Sequence, residues 1–171
     1  MTAEERRRQI LSLLKDSKEP ITATALANMY SVTRQIIVAD IALLRASGEK
    51  IRAEHRGYVF DNGDDGDLKY KIVCQHSKEG ALEELYAIVD NGGCAVDVMV
   101  EHSIYGTISA GLNISSRYDV DRFIEDVSKA GASQLADLTD GIHIHTVSVK
   151  SEDAFERIVK RLKELNILIE K

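Results

Sequence analysis

Tryptophan is absent from this 171-residue chain, and proline occurs once, at Pro20. Those absences argue against a linker-rich or secreted design. Cysteine is nearly as scarce. Cys74 and Cys94 each lie in an apolar, β-branched run and read as small buried core residues. With no CxxC pair and no dense cysteine framework, a disulfide scaffold is excluded and a reducing cytoplasm fits. No stretch approaches the roughly 20 apolar residues that span a bilayer. The charged opening MTAEERRRQI also lacks the apolar stretch of a secretory signal. The expectation is a cytoplasmic protein with no membrane partner. Missing too are G-x-S-x-G, H-E-x-x-H and a Walker loop, which weighs against a hydrolase.

What is present is 44% hydrophobic residues, enough for true cores, in a length that holds one large domain or two small ones. Charge argues for two. Residues 1–60 hold ten Lys and Arg against seven Asp and Glu, whereas residues 61–171 hold twelve against twenty-one. Between them lies DNGDDGD, Asp61 to Asp67, a polar, glycine-containing stretch without periodicity. The organisation expected is a domain over 1–60, an acidic linker over 61–68 and a second domain over 69–171. Only the first has the sign for contact with phosphate.

Periodicity in the first domain predicts a helix from Ala3 to Lys15 with Ile10, Leu11 and Leu14 on one stripe. After Pro20, Thr22 or Thr24 can cap a short second helix carrying Leu26 and Met29. Thr33 can cap a third, Arg34 to Ala46, stopped by Gly48. Ile37, Ile41 and Leu44 face inward on that helix, leaving Thr33, Arg34, Gln35 and Val38 on its outward N-terminal turns. Short helix, tight turn, longer helix is the helix-turn-helix arrangement, whose second helix enters the major groove. Arg and Gln are among the side chains that read base edges there. Ile51 to Glu54 and Tyr58 to Phe60 read as a β-wing with Arg56 at its tip, placed for a minor groove or a phosphate. His55 reads as a wing-surface residue. The alternative is a three-helix interaction module whose basic residues are merely solvated.

The second domain reads β-α-β-β-α-β-α: strand KYKIVCQ, helix Glu79 to Asn91, strand Cys94 to Glu101, strand Gly106 to Ile114, a helix opened by a Ser116–Asp119 capping box, strand GIHIHTVSVK, and a helix capped by Ser151. This is an α+β layer with helices on one face of a mixed or antiparallel sheet. The closing Ile167-Leu168-Ile169 is open between strand and coil. His143 and His145, two apart on a strand, leave the same face. His76 ends the first strand, and Glu84 lies on the following helix. Three imidazoles and a carboxylate brought together across the sheet suit a divalent Ni, Zn, Fe or Mn ion. Each histidine alone is more simply an ordinary core or surface residue.

The segments SRYDVDRFI, VDVMVEHSIYG, LEELYAIVDNGG and GIHIHT, behind TRQIIVADIALLRASG and RGYVF, resemble the niacin-responsive transcriptional repressors of bacteria. Their C-terminal part is the three-histidine (3H) domain, similar to the phosphocarrier fold, and the likeness covers nearly the whole chain. It implies repression of genes of NAD synthesis or nicotinate uptake when nicotinic acid binds. It also implies a metal held by His76, Glu84, His143 and His145, with Glu83 the rival carboxylate. His102 and Tyr105, in the EHSIYG motif, and Arg117 are the residues assigned here to the effector. The family more often has Pro where Ser103 stands, which puts the turn after His102 in doubt. Arg117 is placed to pair bidentately with a carboxylate.

The mechanism expected is a homodimer reading a palindromic operator in double-stranded DNA, since one winged helix alone contacts too little. Nicotinate and DNA would strengthen each other's binding reciprocally. The rivals are a metal-responsive repressor of the same architecture, and less readily a metal-dependent enzyme or a histidine phosphocarrier. The reading is that the protein is not an enzyme.

Overall fold

The computed structural model describes residues 1–63 and 66–170. The chain divides into two compact units, Met1–Asp64 and Asp65–Lys171. Of the acidic stretch read as a linker, Asp64 and Asp65 lie outside the described residues. The flanking residues each belong to a unit. The Asp61 N–H donates to the Lys50 carbonyl at 2.7 Å, and the Lys150 ammonium to Asp67 at 2.6 Å.

The first unit opens with α1, Ala3–Asp16, where Thr2 and Glu5 form a capping box. Helix α2, Ala23–Tyr30, is capped by Thr22, whose Oγ1 accepts the Ala25 N–H at 3.0 Å. It ends at Ser31 in the left-handed region (φ 53°), so the chain turns sharply into α3, Arg34–Ala46, capped by Thr33. Strands β1, Ile51–Glu54, and β2, Gly57–Phe60, form the antiparallel wing. Ile21 bridges to Tyr58 on its far side. Ile10, Leu14, Leu26, Ile37, Ile41 and Leu44 make one core.

A buried charge fastens α1 to α3. Asp40, 3% exposed, accepts from Arg6 Nε at 2.6 Å, Arg6 Nη2 at 3.3 Å and Arg7 Nη1 at 3.4 Å. Asp40→Ala leaves those guanidinium donors without their acceptor. It is expected to destabilise this unit by about 2 kcal/mol, read as lost hydrogen-exchange protection of α1 and α3 amides.

The second unit holds β3 (Leu68–Gln75), α4 (Ala81–Asp90), β4 (Gly93–His102), β5 (Gly106–Ile114), α5 (Arg117–Ala130), β6 (Ile142–Val149) and α6 (Glu152–Glu164). Its strands pair β5-β4-β6-β3, every neighbour antiparallel, and α4, α5 and α6 share one core with the sheet. The whole is α+β, as the periodicity predicts. Helix α4 starts later than expected, because Lys78–Gly80 forms a separate 3₁₀ turn. A second such turn, Leu135–Thr139, has no periodic signature in the sequence. The closing segment adds a bridge from Leu168 to Cys74. Ile167 accepts from the Gln75 N–H at 2.8 Å, and Ile169 donates to the Val73 carbonyl at 2.9 Å. Cys74 is fully buried, whereas Cys94, expected in the core, is half-buried with its Sγ 3.4 Å from Asn113 Oδ1. No helix among the described residues is long and apolar enough to cross a membrane.

Candidate metal centre and adjoining cavity

Strand β6 turns every second side chain inward, so His143 and His145 share the helix-covered face with Val147 and Val149. Cys74 faces His143 across the β3–β6 ladder, and Ile72 faces His145. His76 follows one residue after β3. Helix α4 delivers Glu84 from its sheet-facing side, among Ala81, Leu85 and Ile88. Glu84 is 2% exposed, while Glu83, one residue of helix phase away, points to solvent. The fold therefore brings Glu84, and not Glu83, to the histidines.

The geometry is convergent. His76 Nε2 lies 2.6 Å from Glu84 Oε2, His143 Nε2 3.0 Å from Oε1, and His145 Nε2 3.5 Å from Oε2. Each ring also donates its Nδ1 proton to a backbone carbonyl: His76 to Ser77 at 2.6 Å, His143 to Gly141 at 2.9 Å, His145 to Asp97 at 2.5 Å. A bulge in β4 supplies the last of these. The β4–β6 register shifts between Ala95 and Met99. Inside that irregularity Asp97 Oδ1 accepts the Thr146 N–H at 2.9 Å while its carbonyl meets His145.

These carbonyl bonds decide the chemistry of the other nitrogens. A carbonyl only accepts, so Nδ1 holds a proton and a neutral ring then presents a lone pair at Nε2. The carboxylate oxygens they face carry lone pairs as well. Such a buried convergence is stable only around positive charge, carried as protons on the rings or as one divalent cation. Nδ1 bonds to backbone carbonyls are also how metal-binding histidines are commonly oriented. The residues fit a first-row divalent ion.

Without an ion, protons take that role. Burial alone would lower the pKa values of His76 and His145, but the hydrogen bond to Glu84 and its charge outweigh it and raise both. Burial would raise the Glu84 carboxyl, yet the charge of His145 and the three imidazole hydrogen bonds hold it well below the usual carboxylate range. Raised histidine values mean that the folded state binds more protons than the unfolded state above the ordinary value of about 6.5. Metal-free protein is therefore expected to lose stability as pH rises from about 6.5 through the raised values. The contribution of Glu84 has the opposite sign and is lost only as pH falls through its lowered value. Urea midpoints across this range check it; a midpoint that climbs with pH in chelated protein would contradict the assignment.

Cys74 belongs to the same cluster. A donor atom from each of Cys74, Glu84 and His143 lies within 4.8 Å of the others. Burial first, and the Glu84 charge second, push the thiol pKa up. Strand period 2 places Cys74 on the face of His76, a signal the core reading passed over.

Beside the cluster opens a cavity of about 200 Å³, with His76, Glu84, His143 and His145 at its wall and Leu85, Val98, Leu112 and Phe123 among its apolar lining. Val127 on α5 and Ser133 to Ala136 complete it. Among the described residues, no Lys or Arg lines it.

The residues expected to meet an effector are not brought there. Arg117 donates through Nε and Nη2 to Asp90 at 2.7 and 2.6 Å and lies over the Tyr86 ring. The start of α5 thus lies beside the end of α4, whereas Glu84 sits near the beginning of α4. Six residues of helix separate Glu84 from Asp90, about 9 Å of rise. His102 Nδ1 accepts the N–H groups of Ile104 and Tyr105, both at 3.2 Å, and the Tyr105 ring is exposed. The cavity is lined instead by the later part of α5 and the 3₁₀ turn after it, which periodicity alone did not single out. In the first unit, Arg34 and Gln35 are exposed at the start of α3 and Val38 is half-buried. Thr33 accepts the Ile36 N–H as the cap. Arg56 lies 3.6 Å from Glu19.

A winged helix followed by an α+β unit of this kind is the layout of a DNA-binding regulator. Residues 6–59 match an HTH domain family and residues 69–171 the 3H domain family. The probable transcription repressor NiaR of Thermotoga maritima is 41% identical over 98% of this chain and 95% of its own length. The transcription repressor NadR of Bacillus subtilis is 38% identical over 96% of this chain and 93% of its own. The chain belongs to the niacin-responsive transcription repressor family, an HTH domain followed by a 3H domain, and is a regulator and not an enzyme.

Proposed function

We propose that this protein represses genes of NAD biosynthesis or nicotinate uptake by binding palindromic double-stranded DNA as a homodimer. Nicotinic acid is the corepressor, and a divalent metal is held by His76, Glu84, His143 and His145. The observation that carries the reading is the convergence of three Nε2 atoms and a carboxylate whose Nδ1 partners are all backbone carbonyls. The names of the relatives support repression. Residues 1–60 are the DNA-binding domain in this reading. Arg34, Gln35 and Val38 face the major groove from α3, Thr33 holds its first turn, and Arg56 sits on the wing.

Effector binding follows from charge and size. When bound, the ion would supply a fixed positive charge at a wall where the described residues place no Lys or Arg, which favours an anionic ligand with its carboxylate toward the histidines. Leu85, Leu112 and Phe123 offer an apolar surface to a ring. Drug-sized ligands occupy cavities of roughly 300–1,000 Å³, so about 200 Å³ suits a single aromatic ring and is too small for a nucleotide. In this reading His102, Tyr105 and Arg117 act on the effector from outside this cavity, along its route of entry.

The test is fluorescence anisotropy on DNA from upstream of the protein's own gene and of neighbouring niacin genes. Nicotinate is titrated with and without chelator. Tighter binding with nicotinate, lost on chelation, is the expected result. A chelator effect with no nicotinate effect would make metal itself the signal, and DNA binding indifferent to both would remove the corepressor reading.

A further inference from the structure

We propose that Cys74 is a further protein donor to the metal site, a thiolate beside three imidazoles and a carboxylate, and that it tilts the site toward thiophilic divalent ions. The inference rests on the metal reading above and concerns which ion that site takes.

Three features place the sulfur. Cys74 and His76 are two apart at the end of β3 and so share a face, and Cys74 stands opposite His143 in the β3–β6 register. Its side chain is fully buried. Its Sγ, a Glu84 oxygen and a His143 nitrogen all lie within 4.8 Å of one another. Typical bonds to zinc are about 2.3 Å for sulfur and about 2.0–2.2 Å for nitrogen or oxygen. Donors on one such ion are therefore at most about 4.5 Å apart. The three atoms need to close by only a few tenths of an ångström to share an ion.

A buried valine or isoleucine would fill this position as well if packing were its whole purpose, as Ile72 does two residues earlier on the same face. The thiol instead lies within 4.8 Å of donor atoms of Glu84 and His143. On binding, the S–H bond breaks, the sulfur keeps the electron pair for the ion, and the proton leaves to solvent.

The consequence is selectivity. Imidazole and carboxylate together accept most first-row divalent ions, whereas a thiolate favours Zn²⁺, Co²⁺ and Ni²⁺ over Mn²⁺ and Mg²⁺. Imidazole and carboxylate alone suit Ni, Zn, Fe or Mn; the sulfur removes Mn from that group.

Full-length protein is titrated with Co²⁺ and its absorption recorded. The wild type is expected to show visible d–d bands and a sulfur-to-cobalt charge-transfer band in the near ultraviolet. Cys74→Ser and Cys74→Val should keep the d–d bands, lose the charge-transfer band, and lower the Zn²⁺ over Mn²⁺ preference about tenfold or more. Two replacements, one polar and one apolar, guard against a packing defect in either, and circular dichroism reports folding. Identical near-ultraviolet spectra in wild type and both variants would overturn the proposal while leaving the metal site standing. Absence of d–d bands in the wild type, or bands unaffected by His143→Ala, would overturn the metal reading and this inference with it.

Discussion

Glu84→Gln is expected to weaken metal binding at least about 100-fold and to destabilise the metal-free second unit below about pH 6.5. Glu84 is 2% exposed and its carboxylate meets all three of His76, His143 and His145. Glutamine preserves the shape but removes the charge. The ion then loses an anionic ligand. In its absence, the protonated imidazoles lose their counter-charge in a buried space, where an unpaired charge is costly, about 3 kcal/mol or more. The pH dependence of stability should flatten as well, because the raised values of His76 and His145 are caused by Glu84. Competition with a chromophoric chelator measures the first effect, and urea midpoints with pH measure the others. Unchanged metal affinity in Glu84→Gln would exclude this carboxylate as a ligand.

The second large effect is expected at Gly141, just before β6. Its φ is +85°, and a Cβ there would meet the His76 carbonyl oxygen at 2.2 Å, an impossible approach to backbone. Gly141→Ala must therefore move the segment carrying His76, and with it the Gly141 carbonyl that orients His143. Both a stability loss of about 3 kcal/mol or more and a sharp fall in metal affinity are expected. Two other glycines bracket the argument. Gly131 also has positive φ, at +59°, but open space around it, so alanine there should cost only about 1 kcal/mol and leave metal affinity intact. A Cβ at Gly80 would press on the His76 ring, nearest Cβ at 2.6 Å. The His76 Cβ is bonded to its own backbone and cannot swing aside, so Gly80→Ala should lower both stability and metal affinity. Calorimetric titration of all three distinguishes strain at the site from a general glycine penalty. Equal metal affinities in Gly141→Ala and Gly131→Ala would dismiss the close approach as a cause.

The helix-turn-helix was legible because its signals are local. Thr22 and Thr33 are caps, α3 is the helix its periodicity predicts, and the wing follows the glycine turn. In the second unit the Ser116–Asp119 capping box, the order of the helices and strands and the shared face of His143 and His145 were equally legible, since each depends on local spacing. His76 at a strand end and Glu84 on the next helix were legible as candidates, and resemblance strengthened the grouping of all four.

Grouping was legible only where period and family agreed. Arg117 is assigned to the effector from its motif and its place at a helix start, and the fold pairs it with Asp90, a contact no local spacing announces. Cys74 read as core and is core, but core beneath a polar cluster. By itself the sequence determined the elements, their caps, the inward faces and the sign of each unit's charge, all consequences of local backbone geometry and of period 2 or 3.6. Tertiary structure alone decided that Glu84 and not Glu83 meets the histidines, that the β4 bulge brings the Asp97 carbonyl to His145, and that the cavity is closed by late α5. The reason is physical: strand register, a single-residue bulge and the position of one helix beside another are set by packing between residues dozens of positions apart, which no local spacing encodes.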